Sequence, residues 1–556
     1  MHAQGLNSST FTAVPLDSSL TLPQLLDRQF VQSPEHTAYI YDAAEGGIVS
    51  ISLGQYIRSV YATCRRILRD TVPHTPVVNE RGIVIGILAA TDAISYCMMV
   101  AAIMRAGFVP FCISPRNAVD GVAKLLENGG AAVVYVSTDL KQKLADALEI
   151  CGKQLPVFDV LTFDELQAGL EESSESEPLP VLPRVVDMDG VALILHSSGS
   201  TSTFSKPIYL SHKIVMQYAF APLSGSQDYC GQISSVHMIA SYHGMGVFAL
   251  TWPLAVGLIM AVLRPAPPPM ASSPEKALAG ILATKPDIVL SSPAAIESWS
   301  EDPAGLRAMQ ALKVLAFSGA PLNKRVGDNL VDNGVVLWSM YGTNETGLLN
   351  TFCTPHGNLK DWEYFSVREG IDAARMPEED GSTFYTFTYL NSPSYKTCYS
   401  NVEIEGRRGC QISDLLEQHP DNPDLHRVFA RKDEIISLSI AAKMNPVVIE
   451  AQINRNPFVN AALVFGTGRP HPGVLIQLKP ECQTDLLDDG KRSEILDALW
   501  VSVDAANRTS PIHFQIPRKM VLLADPEKPF ALTSKSQPRR RAVLEDYDGE
   551  ISAAYL

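Results

Sequence analysis

Val191-Ala192-Leu193-Ile194-Leu195-His196-Ser197-Ser198-Gly199-Ser200-Thr201-Ser202-Thr203-Phe204-Ser205-Lys206-Pro207-Ile208-Tyr209-Leu210-Ser211-His212 is an apolar run that breaks into a hydroxyl-rich loop. Residues 191–195 have the length and branched-chain content of a buried strand. The loop then gathers serines and threonines around one glycine and ends on Lys206. Hydroxyls and freed backbone N–H groups are what a loop needs to hold phosphate oxygens, and a lysine adds a point charge. The loop has neither the second glycine nor the following Ser/Thr of a Walker A loop, and it contains no G-x-G-x-x-G turn. Standing alone, it reads equally as a solvated Ser/Thr-rich loop.

Outward from this stretch, short apolar strands alternate with helical patterns. Gly82–Leu88, Phe108–Phe111 and Ala131–Val136 read as strands, and Thr91–Met104 reads as a helix with a buried Ala/Met/Val face. Such alternation predicts β-α-β units: an α/β fold of mostly parallel sheets flanked by helices. Gly246–Leu263 carries no charge, but Pro253 and Gly257 interrupt it. It reads as a helix followed by a buried strand, not as a membrane span. Glu171–Pro180 is acidic and Pro-bounded, an exposed linker. Between Asp414 and Asp433 the chain turns polar, with Pro420 and Pro423, before an apolar strand begins at Ile435. That shift is the expected boundary between a large N-terminal domain, 1–432, and a small, mobile α+β domain, 433–556.

At 556 residues the chain exceeds a single core. With 46% apolar and 19% charged residues it is expected to be globular. A net charge of −15 argues against a nucleic-acid surface. The basic triplet Arg539-Arg540-Arg541 reads as a solvated turn. Nine dispersed cysteines without a C-x-x-C pair point to reduced thiols and a cytoplasmic setting. Met1–Leu16 lacks the charged and apolar regions of a secretory signal. No membrane or nucleic-acid partner is expected.

The 197–206 loop resembles the phosphate-binding signature S-S-G-[ST]-T-G-x-P-K of adenylate-forming enzymes, the superfamily of acyl-CoA synthetases, luciferases and peptide-synthetase adenylation domains. Ser202 stands where that family has glycine, Ser205 where it has proline, and one extra residue precedes Lys206. Four further segments follow in the family's order. Ser318-Gly319-Ala320-Pro321 resembles the small-residue turn that lies against adenine. Met340-Tyr341-Gly342-Thr343-Asn344-Glu345 resembles Y-G-x-T-E, with Asn344 in place of threonine. Asp414 and Arg431 match the aspartate and arginine on the ribose and phosphate, and Asp433 the hinge aspartate. Thr533-Ser534-Lys535-Ser536 resembles the late lysine motif, with Ser536 for glycine. The blocks Val109–Asn117 and Lys443–Glu450 look like those of fungal synthetase-like enzymes of the adenylation–carrier–reductase or –thioesterase type.

The resemblance implies a ligase that joins a carboxylate to the α-phosphorus of ATP, releases pyrophosphate, and passes the acyl group from acyl-AMP to a thiol. Ser197, Ser198, Gly199, Ser200, Thr201 and Lys206 would hold the phosphates. Gly319, Ala320, Pro321, Tyr341, Gly342, Thr343 and Asn344 would frame the nucleotide, and Asp414 and Arg431 would anchor the nucleoside. Glu345 would ligate Mg2+, a hard carboxylate for a hard cation. Lys535 would act on the reacting carboxylate and α-phosphate. His243 falls where amino-acid-activating relatives carry aspartate, which implies an aryl or other amine-free acid. It reads equally as a hydrogen-bonded core histidine. Ser318, Met340, Leu348 and Leu349 would line the acid pocket. The acceptor would be CoA or the phosphopantetheine of a carrier domain, in cis or in trans. Ala441, where relatives keep glycine, would crowd the thiol path. A second reading, a degenerate nucleotide-binding scaffold or regulator, draws on the altered loop, Asn344, Ser536 and Ala441.

Overall fold

A computed structural model describes residues 2–15, 20–74, 82–172, 179–182, 187–197, 205–354, 357–378, 383–440, 443–483, 489–533 and 537–556. The opening strand spans Val191–His196 and is buried from Ala192 onward. It lies parallel to Val109–Ile113, with Phe111 opposite Ile194, and antiparallel to Pro207–Ser211. The sheet runs in the order 157–159, 131–136, 84–88, 109–113, 191–196, 207–211, and only the last pair is antiparallel. Val84–Leu88 and Val109–Ile113 are buried along their whole length, as a parallel sheet covered on both faces requires. Helix Ala93–Arg105 starts at Asp92, whose carboxylate accepts the Ser95 N–H at 2.9 Å.

A second sheet runs Leu337–Ser339, Val314–Phe317, Ile288–Ser291, Ile233–Ser235, Ile259–Ala261, Thr37–Asp42, Ile48–Ser52, parallel except for the last hairpin. One apolar core joins the two sheets. At its centre lies helix Gly246–Ala255, in which every residue is buried, followed by strand Ile259–Ala261. This is the helix-then-strand pair that the uncharged run predicts. Trp252 stacks on Phe248 at 4.3 Å, and its indole N–H donates to the Tyr218 carbonyl at 3.1 Å. That bond fixes helix His212–Ala219 against the core, and with it Tyr218. Among the described residues no helix is long and apolar enough to cross a membrane.

The third sheet is antiparallel throughout and spans 372–431. It takes in most of the polar stretch 414–433. Asp414–Gln418 and His426–Arg431 are paired strands, and Pro420 and Pro423 lie in the turn between them. The stretch reads as polar because its strands are only half-buried and carry polar side chains. Residues 436–551 form a separate apolar cluster around strands Val459–Phe465, Gly473–Leu478 and Val521–Leu523, with helices Pro446–Ile453 and Asp489–Thr509. Arg455 pairs with Glu297 at 3.1 Å, and Lys432 and Lys443 both face Glu378. The linker read at 171–180 falls largely outside the described residues.

Burial lowers the pKa of His36, His196, His212, His237 and His426, to about 4 for His237 and His426. A histidine that ionises less readily folded than unfolded lets the unfolded chain take up protons first, so stability falls as pH drops below about 6.5. For His237 alone the loss between about pH 7 and pH 5 is about 2 kcal/mol. Urea midpoints are therefore expected to fall steeply over that interval, and His237→Gln should flatten the slope. A midpoint independent of pH there would contradict the neutral, buried state of these rings.

Candidate active site

The opening strand ends on His196, which is 1% exposed and bonded through three polar groups. Its Nε2 accepts the Ser114 N–H at 3.0 Å, so the ring proton sits on Nδ1, which donates to the Ser197 carbonyl at 2.9 Å. Its own carbonyl accepts from Asn344 Nδ2 at 3.2 Å. Burial pulls its pKa down and keeps the ring neutral, as the accepting Nε2 requires. Sequence reading gave His196 no role, because its partners lie 82 and 148 residues away.

The base of the expected phosphate loop is pinned. Ser197 N–H donates to the Lys206 carbonyl at 2.9 Å, and Lys206 N–H donates to Ser197 Oγ at 3.0 Å. Lys206 is exposed. Ser198, Gly199, Ser200 and Thr201 lie outside the described residues, as do Lys535 and Ala441. On either side of 534–536, Thr533 N–H donates to the Gln537 carbonyl at 2.7 Å and Leu532 pairs antiparallel with Pro538.

Two neighbouring parallel strands deliver the next two segments side by side. Val314–Phe317 runs into Ser318–Pro321, where Gly319 has φ +85° and residues 319–321 are exposed. Leu337–Ser339 runs into Met340, whose N–H donates to the Phe317 carbonyl at 2.9 Å. The C-terminal edge of a parallel sheet is where such folds open a ligand crevice. Gly342–Thr343 and Gly347–Leu348 then pair as a tight hairpin. A Cβ on Gly342 would stand 2.2 Å from the Gly347 carbonyl oxygen, so only glycine fits.

The turn of that hairpin presents Asn344 and Glu345. Thr343 Oγ1 accepts the Glu345 N–H at 3.2 Å, and Thr346 Oγ1 lies 3.0 Å from Thr343 Oγ1. The Glu345 carboxylate makes no hydrogen bond or ion pair among the described residues. Burial first, then the Glu345 charge, pushes the Cys410 thiol up to about 11 and the Cys398 thiol higher still. No group of three or more His, Cys, Asp or Glu could hold a metal by itself among the described residues. One open carboxylate fits Mg2+, which is usually held by one or two carboxylates together with substrate phosphates.

Asn344 also meets residues 241–245, the acid loop that carries His243. Its Oδ1 would stand 2.1 Å from a Cβ on Gly244. Next to it, the half-buried His243 ring lies against Tyr242 at 4.6 Å and against His196 at 6.2 Å. Met340 and Leu348 are buried in the main core beside this loop. Leu349 is a correction: it belongs to the antiparallel-sheet core with Tyr341, Phe365 and Tyr385. Consecutive residues on an extended backbone face opposite sides, so Leu348 and Leu349 do not line one pocket.

Asp414 and Arg431 face each other as cross-strand partners. Tyr341 stacks on Phe365 at 4.3 Å, and its hydroxyl donates to Asp414 Oδ2 at 3.0 Å. Burial raises the Asp414 pKa, opposed by Arg431 and by the Tyr341 hydroxyl. Arg431 Nε pairs with Asp433 at 3.1 Å. The structure thus joins Ser197, Lys206, Asn344, Glu345, Gly244 and His243 around His196, and Tyr341, Asp414, Arg431 and Asp433 in a second chain of contacts.

Residues 80–367 match the family model described as AMP-binding enzyme, and 433–556 match the model for the AMP-binding enzyme C-terminal domain. An adenylate-forming reductase of Heterobasidion annosum is 34% identical over 568 aligned residues, covering 100% of this chain and 51% of the relative. An adenylate-forming reductase of Aspergillus terreus is 27% identical, covering 96% of this chain and 50% of its own length. The chain spans about half the length of these curated relatives. Among solved structures, ATP-bound MatB from Rhodopseudomonas palustris aligns with a TM-score of 0.68 at 16% identity, covering 96% of this chain and 100% of that one. The adenylation domain of a carboxylate reductase from Mycobacterium chelonae aligns with the same score and identity over 96% of this chain and 91% of that domain. These structural likenesses give the fold, and the family models give the kinship: the chain belongs to the AMP-binding enzyme family.

Proposed function

We propose that the chain activates a carboxylic acid with ATP, forming acyl-AMP and pyrophosphate, and then passes the acyl group to a thiol of CoA or of a carrier phosphopantetheine. The observation that carries this reading is the Asn344 side chain. It bonds the His196 carbonyl at the root of the phosphate loop, lies against Gly244 of the acid loop, and is followed by Glu345. A carboxylate, an α-phosphate and a metal-bound phosphate oxygen must meet within a few ångströms in an in-line displacement, and these three segments meet there. The rate then comes from positioning and charge neutralisation, not from a covalent intermediate with the protein.

In this reading residues 1–432 bind ATP and acid, and 433–556 form a lid carrying Lys535. Ser197 and Lys206 hold the leaving pyrophosphate, with residues 198–201. Asp414 accepts the ribose hydroxyls, and Arg431 supports it. Mg2+, when bound, neutralises phosphate charge beside Glu345. His243, half-buried and ringed by Tyr242 and His196, suits a flat, amine-free acid better than a substrate ammonium, which calls for a carboxylate. Of the two activities joined in the name adenylate-forming reductase, we assign the adenylate-forming one to this chain.

Acid-dependent exchange of labelled pyrophosphate into ATP, across aryl, keto, aliphatic and amino acids, is the test. Exchange is expected with aryl or other amine-free acids and not with α-amino acids. Lys535→Ala should lower it at least about a hundredfold, the scale of losing one transition-state contact; full exchange in that variant would remove the role given to Lys535. ATP binding without exchange for any acid would favour the scaffold reading instead. Gly244→Ala should drive Asn344 off the His196 carbonyl and lower exchange about tenfold or more with little change in melting temperature. Unchanged exchange in that variant would break the argument built on Asn344.

A further inference from the structure

In the turn that presents Glu345, between the paired strand ends, Thr346 N–H donates to the Thr343 carbonyl at 3.3 Å. Its shape is set from behind. The Tyr218 hydroxyl lies 3.3 Å from the carbonyls of both Thr343 and Asn344. The Cys398 thiol donates to the Asn344 carbonyl at 3.3 Å, and the Cys398 N–H donates to the Glu345 carbonyl at 2.8 Å. The Tyr395 hydroxyl donates to the Thr346 carbonyl at 3.0 Å. Four consecutive carbonyls are therefore met by donors outside the turn, and the Glu345 charge lies close enough to raise the Cys398 and Cys410 thiols.

Tyr395 and Cys398 lie on one strap, residues 391–400. Asn391 Oδ1 accepts the Thr397 N–H at 2.8 Å and folds the strap on itself. Gln217 accepts the Lys396 N–H at 2.8 Å and donates to the Lys396 carbonyl at 3.0 Å. Gln217 and Tyr218 are neighbours on helix His212–Ala219, which Trp252 holds to the core. One helix therefore anchors both halves of the clamp.

We propose that Cys398 is a positioning residue for the nucleotide-bound metal: by bonding two consecutive carbonyls it fixes the Asn344–Glu345 peptide plane and aims the Glu345 carboxylate. The proposal rests on the reading of Glu345 as the metal carboxylate. Rotating that peptide would break the thiol bond and the Tyr218 bond together, so the carboxylate direction is coupled to a group that touches neither metal nor nucleotide. Side chains that bond to a ligand's own holder act on its affinity this way.

The experiment uses Mn2+ as the probe, titrated with ATP and read by the paramagnetic resonance signal of free Mn2+, alongside calorimetry of ATP without divalent ions. Cys398→Ala removes the donor. Cys398→Val removes it while keeping the volume filled, so one of the two gives a folded protein to measure. Both are expected to weaken Mn2+ binding in the ATP complex about three- to tenfold, the size of one buried hydrogen bond, and to leave metal-free ATP affinity within about twofold. Cys398→Ser, which keeps a donor, should restore most of the loss. Equal Mn2+ affinity in wild type and both donor-free variants would overturn the proposal. So would a parallel loss of metal-free ATP binding, which marks a merely structural role. Wild type that binds Mn2+ with ATP but exchanges no pyrophosphate for any acid would remove the ligase reading and leave the positioning role standing.

Discussion

The site depends on a neutral imidazole. His196 closes the opening strand, and its ring accepts the Ser114 N–H only while the proton stays on Nδ1 and donates to Ser197. A second proton would abolish the acceptor and leave a charge at a position that water does not reach, a cost of several kcal/mol. Burial guards against this by lowering the pKa. Through one residue the end of strand Val109–Ile113, the root of the phosphate loop and the Asn344 turn share a fixed origin. Loops are usually the mobile part of a fold; here two of them are tied to a single buried ring and a third to the carbonyl of the same residue.

From that origin the architecture is economical. Parallel strands deliver their loops at one edge, and the core helix Gly246–Ala255 holds the acid loop from below. The antiparallel sheet closes the other side with Asp414 and Arg431 in register. In the Thr343–Thr346 turn the carbonyls meet Tyr218, Tyr395 and Cys398, and the Glu345 carboxylate alone among its side chains makes no hydrogen bond among the described residues. A turn this short has little ladder of its own to satisfy its carbonyls, and donors packed behind it take that place.

The sequence made some of this legible and not the rest, for physical reasons. Strands such as Ala131–Val136 are buried on both faces and read directly as apolar runs. Tyr341, Glu345, Asp414 and Arg431 are picked out by short motifs, and the structure brings Tyr341, Asp414 and Arg431 together. The hairpin 414–431 was not, since its half-buried strands carry polar side chains and read only as a polar shift in composition. Leu349 was misplaced because neighbouring apolar residues on extended chain diverge. His196 and Cys398 escaped for a third reason. A histidine or cysteine at a strand end or in a loop acquires meaning only from its partners, and those lie dozens of residues away.

Arg431 shows how the two parts of the chain meet in one side chain. It stands across the strand pair from Asp414 and bonds Asp433 at 3.1 Å. Burial favours the protonated form of Asp414, while Arg431 and the Tyr341 hydroxyl favour the carboxylate that would accept ribose hydroxyls. Asp433, at the start of the segment matched by the C-terminal-domain model, shares the same guanidinium. Coulomb attraction falls with distance, so turning Asp433 away leaves Arg431 to Asp414 alone, and bringing it back divides the cation between them. In the proposed cycle, lid movement and nucleoside anchoring would therefore be coupled through one shared cation and need no extended path through the core.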